Sequence, residues 1–208
     1  MNAMVTAIES AGRMRSRVRP ADAPTTDDVV ARARAGDETA WATIVADLGP
    51  AIAGYARARG APDPEDVMQD VFLAAASRLS RFEGDGRAFR SWVFSIAYRQ
   101  IVDRYRSRRD NVELPVSLAD PGPSPEQTAI TGIVVSEAMA ALDVLTDVER
   151  DVVLLRVIGG LETDEVARAV GKRGGNVRVI QTRALAKLRG ELQRSGYGAE
   201  GLGEEEAR

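Results

Sequence analysis

The chain has 208 residues, 44% of them hydrophobic, and a formal net charge of −3, which is room for one ordinary domain or two small ones. It has no Cys and no His, which excludes disulfides, thiolate chemistry and the commonest metal ligand and general base. No apolar run reaches the roughly 20 residues that span a bilayer. Arg13, Arg15, Arg17 and Arg19 stand near the start without the apolar stretch of a signal peptide, so a cytoplasmic chain with no membrane insertion is expected.

Residues 1–26 are small, polar and basic, with Pro20 and Pro24, and read as a flexible arm. Residues 27–109 are helical in pattern. Within them PEDVMQDVFLAAASRL places Pro64 in a first turn and lines up Val67, Val71, Phe72, Ala75 and Leu79 as a buried stripe. Asp66, Gln69 and Asp70 form another stripe. Like charges at i, i+4 cost a few tenths of a kcal/mol unless compensated. The stripe is either a solvated face helped by the helix N-terminus or a docking surface for a basic partner.

The loop EGDGR then precedes a helix expected from about Ala88 to Ser107, with Phe89, Trp92, Val93, Ile96 and Ala97 on its apolar side. Nine arginines fall between Arg78 and Arg109, against Glu83, Asp85 and Asp103. Aromatics interleaved with Arg suit unpaired bases, which stack on rings and guanidinium planes. Most of Trp92 reads as core, while Phe82, Phe89 and Tyr98 fit either a core or a base-stacking surface.

Residues 110–132 hold Pro115, Pro121, Pro123 and Pro125 without periodicity, and read as a linker. In residues 133–193, Thr146 and Glu149 make a capping box. The helix after it carries Val148, Val152, Leu155 and Val157 near one side and stops at Gly159 and Gly160. A short helix follows Thr163 and ends at Gly171. A basic helix then runs to about Leu192, with Val177, Ile180, Ala184, Leu185 and Leu188 apolar. Short helix, turn and longer basic helix make a helix-turn-helix. Arg178, Gln181 and Thr182 lie away from the apolar stripe, flanked by Arg183 and Lys187; they fit either groove readers or the wet face of a bundle. Residues 194–208 read as an acidic disordered tail.

The fold expected is therefore all-α: two small helical domains joined by a Pro-rich flexible linker, the second a helix-turn-helix. The acidic net charge averages opposite patches, so it does not exclude nucleic acid. No phosphate loop, metal-ligand cluster or nucleophile–base pair is visible, so neither an enzyme nor a cofactor or metal site is expected.

The segments DDVVARARAGDETAWATIV, PEDVMQDVFLAA, RFEGDGRAFRSWVFSIAYRQIVDRYR and LTDVERDVVLLRVIGGLETDEVARAVGKRGGNVRVIQTRALAKLR, in this order around a Pro-rich linker, resemble bacterial RNA polymerase sigma factors of the extracytoplasmic-function group. That resemblance implies a subunit that binds core RNA polymerase, directs it to promoters and helps melt them. Residues 27–109 would contact core polymerase and the −10 element, and residues 133–193 the −35 element. Asp66, Gln69 and Asp70 would meet the clamp helices of the largest subunit, and the flap of the second largest would be a further partner. Phe82, Arg87, Phe89, Tyr98, Arg99, Arg104 and Arg106 would serve the −10 element. Lys172, Arg173, Arg178, Val179, Gln181, Thr182, Arg183 and Lys187 would serve the −35 element. An anti-sigma protein is the expected regulator. The chain departs from the group's pattern at Arg99, where Asn is frequent, and at Arg173–Asn176, where a Ser-type cap is usual.

Overall fold

The computed structural model describes residues 25–110 and 139–194, with side chains described to Tyr105 in the first segment. The expected arm, linker and tail fall almost wholly outside these residues. Every regular element among them is helical.

The first segment holds α1 (Asp27–Arg34), α2 (Glu38–Ala58), α3 (Pro64–Ala76) and α4 (Gly86–Asp110). Starts are set by oxygen side chains. Thr26 caps α1 and Asp37 caps α2, its carboxylate accepting from the Thr39 and Ala40 N–H groups at 2.9 and 3.1 Å. α2 runs through Pro50 without ending. Helix α4 begins at Gly86, two residues before the expected start, because the Asp85 side chain accepts from Ala88 N–H at 2.7 Å and Asp27 accepts from Gly86 N–H at 2.7 Å. It also continues to Asp110, past the expected end.

The second segment holds α5 (Asp147–Val157), α6 (Thr163–Val170) and α7 (Gly174–Arg194). The Thr146–Glu149 capping box is formed. Gly171 ends α6 at φ +66°, a left-handed conformation glycine adopts without penalty. Gly174 opens α7 for a different reason: a Cβ there would lie 2.7 Å from Asp164 Oδ1. That oxygen ends a flexible side chain, so a larger residue at 174 would require the Asp164 carboxylate to swing aside. Val157, expected on the apolar side of α5, is instead 42% exposed, since two residues beyond the buried Leu155 it stands about 200° round the helix, on the far side.

The core runs without a break through both segments, from Ile44, Leu48 and Ile52 of α2 past Phe89, Val93 and Phe94 of α4 to Leu155, Val166, Val177 and Leu188. Helix α4 packs along α6, and α2 touches α5. The two expected helical domains are present, and their helices share an interface. Leu155 is wholly buried, and Leu155→Ala is expected to destabilise the fold by about 2–5 kcal/mol through lost burial and a cavity. Urea unfolding checks this; a loss below about 1 kcal/mol would contradict the packing.

Candidate polymerase and promoter interface

Helix α3 is fixed at its start by Asp63, whose carboxylate accepts from Asp66 N–H at 3.1 Å. Its buried stripe is the expected one, Val67, Val71, Phe72 and Ala75. Asp66, Gln69 and Asp70 consequently face solvent. Asp70 is paired with Arg104 of α4, and the Gln100 amide donates to the Asp70 carbonyl at 3.0 Å. Asp66 and Gln69 have no side-chain partner among the described residues. Leu73 extends the same face and is 68% exposed. Sequence reasoning missed it; the signal was a large apolar residue one turn beyond Gln69 and Asp70, outside the buried stripe.

Of the aromatics left open between core and a base-stacking surface, Phe82 just before α4 and Phe89 within it lie in the core. Phe82 and Phe89 are buried, with rings 5.2 Å apart, and Trp92 packs against both at 5.1 and 5.5 Å. Their burial removes them from any base-stacking surface in this conformation. Tyr98 is half-buried, while Arg87, Arg99 and Arg104 are exposed; the Arg106 side chain lies outside the described residues. Tyr98 and Arg99 face Arg168–Gly171 across a cleft of about 310 Å³.

Helix α7 presents a clean outer stripe. Gly175, Arg178, Val179, Thr182, Arg183 and Ala186 are exposed, at the spacing of one helix face, with Lys172 and Arg173 exposed before the helix. Gln181 is half-buried. Lys187 is spoken for: its Nζ donates to Glu149 Oε2 at 2.7 Å. Burial alone would push the Glu149 carboxyl up, but the bonds from Lys187 and Thr146 outweigh it and hold it below its usual range.

A third cluster joins the two segments, and no sequence pattern marked it. Tyr55 Oη donates to Asp151 Oδ1 at 2.7 Å, Arg59 Nε lies 2.9 Å from the same oxygen, and Arg59 Nη1 donates to Asp147 at 3.3 Å. Arg59 and Asp151 are both almost fully buried. Arg90 Nε donates to the Gly159 carbonyl at 2.7 Å, supplying a cation to the C-terminus of α5. Arg87 pairs with Glu165 of α6 at 3.3 Å and with Glu162, the residue just before that helix, at 3.5 Å. Burial pushes the Asp151 carboxyl up to about 6, against the pull of Arg59; the same pairing raises Arg59 despite its burial.

Among the described residues no group of acids could hold a metal ion, and no helix is long and apolar enough to cross a membrane.

Residues 44–111 match the Sigma-70 region 2 family and residues 141–190 the Sigma-70 region 4 family. The chain is 35% identical over 182 residues to the ECF RNA polymerase sigma factor SigD of Mycobacterium tuberculosis, covering 82% of this chain and 85% of that one. It is 34% identical to the RNA polymerase sigma factor CnrH of Cupriavidus metallidurans, over 77% of this chain and 90% of that one. The fold is similar to that of CnrH in its complex with the cytosolic domain of CnrY, with TM-score 0.62, 29% identity, and 81% and 97% of the two chains covered. The two sigma-70 regions, in order on an all-helical frame, and relatives of this coverage place the chain firmly: it belongs to the ECF RNA polymerase sigma factors.

Proposed function

We propose that the chain engages core polymerase through the exposed α3 face, Asp66, Gln69, Asp70 and Leu73, with residues 27–109 as one working domain and 133–193 as the other. In this reading Arg87, Tyr98, Arg99, Arg104 and Arg106 serve the −10 element without Phe82 and Phe89. Lys172, Arg173, Arg178, Val179, Thr182 and Arg183 meet the −35 element, with Gln181 and Lys187 at its margin. The action is binding, with no catalytic residue, and takes place in the cytoplasm. Trapping bases that have left the duplex offsets a few kcal/mol of unstacking.

The observation that carries this reading is the exposed, Arg-flanked stripe on α7, the last helix of a helix-turn-helix. An anti-sigma protein covering the α3 face or the DNA-facing helices is the natural regulator; CnrH is known in complex with the cytosolic domain of CnrY, and RpoE of Bartonella quintana with the anti-sigma factor NepR. A gel shift with and without core enzyme tests the reading: stable promoter binding is expected only with core enzyme. Tight duplex binding by the chain alone would point instead to a stand-alone regulator.

A further inference from the structure

The α7 stripe has an apolar centre between two charged ends. Val179 is 49% exposed, an unusual setting for a large aliphatic side chain. Thr182, one turn further along, donates its Oγ1 proton to the Arg178 carbonyl at 3.0 Å. With the hydroxyl turned back onto its own helix, the γ-methyl is what Thr182 has to offer outward. Arg178 and Arg183 stand on either side of this pair, and among the described residues α7 packs chiefly against α5, α6 and the turn at Leu142–Val144. In the major groove one base presents a methyl group, thymine at C5; the other edges present donors and acceptors.

Resting on the α7 assignment above, we infer that Val179 and Thr182 form an apolar reader of thymine methyl groups within the −35 element, next to a guanine held by Arg178. Full-length chain with core polymerase, offered DNA randomised over the −35 region, should enrich thymine on one strand beside a G·C pair. Replacing that thymine by deoxyuridine removes only the methyl. It should reduce open-complex formation about fourfold, the worth of one buried methyl group, and Val179→Ala should no longer distinguish the two bases. An enriched element that tolerates uracil equally, or a Val179→Ala chain that keeps the full uracil penalty, overturns the inference alone. Failure to enrich any element overturns the promoter-reading assignment together with it.

Discussion

Asp66→Arg is expected to lower the retention of core polymerase at least tenfold while leaving the fold intact. Asp66 is exposed and its carboxylate has no partner among the described residues, so the reversal breaks no internal contact. It sits in the first turn of α3, where an anion is favoured by the helix N-terminus, and losing that contribution costs only about 0.3–1 kcal/mol. Setting like charges against each other across an interface costs several kcal/mol, and a tenfold loss needs just 1.4 kcal/mol. Asp70 is a poorer site for this test because Arg104 already neutralises it. Asp63 is poorer still, since it caps the helix. Pull-down of core enzyme with a thermal melt of the same variant checks the prediction; unchanged retention would remove α3 from the docking surface.

Arg178→Ala is expected to reduce transcription from the cognate promoter about ten- to a hundredfold, the equivalent of the roughly 1–3 kcal/mol that one bidentate Arg–guanine contact carries. Core binding should not change, because Arg178 lies on α7 and faces away from the bundle. Arg178→Lys should recover only part of the activity, since an ammonium cannot make the two parallel bonds of a guanidinium. Lys187→Ala should behave differently: it leaves Glu149 without its cation and so acts on the stability of the second segment more than on base choice. Unaffected transcription in Arg178→Ala would mean that a different face of α7 meets the groove.

Features written in local chemistry were legible in the sequence. The Thr146–Glu149 box, Pro64 in the first turn of α3 and Gly171 after α6 each act within four residues, and each stands where the pattern put it. The buried and exposed stripes of α3 and α7 follow from helical spacing alone. Phe82 and Phe89 were not decidable, because an aromatic among arginines looks the same whether its ring meets a base or another ring. Their burial depends on Trp92 closing over them. Nor could the Tyr55–Asp151 contact be read, since its partners lie 96 residues apart and Asp151 follows Glu149 and Arg150 as one more charge in a polar first turn. The crowding of Gly174 by the Asp164 carboxylate was not legible either, since the two lie ten residues apart on different helices.

As a sigma factor this chain supplies promoter choice to RNA polymerase, and run-off transcription on promoter fragments with purified core enzyme and full-length chain tests that role. Discrete transcripts from one class of promoter are expected; they should vanish when the chain is omitted and weaken with Asp66→Arg or Arg178→Ala. Transcription showing no dependence on the chain at any promoter would contradict it.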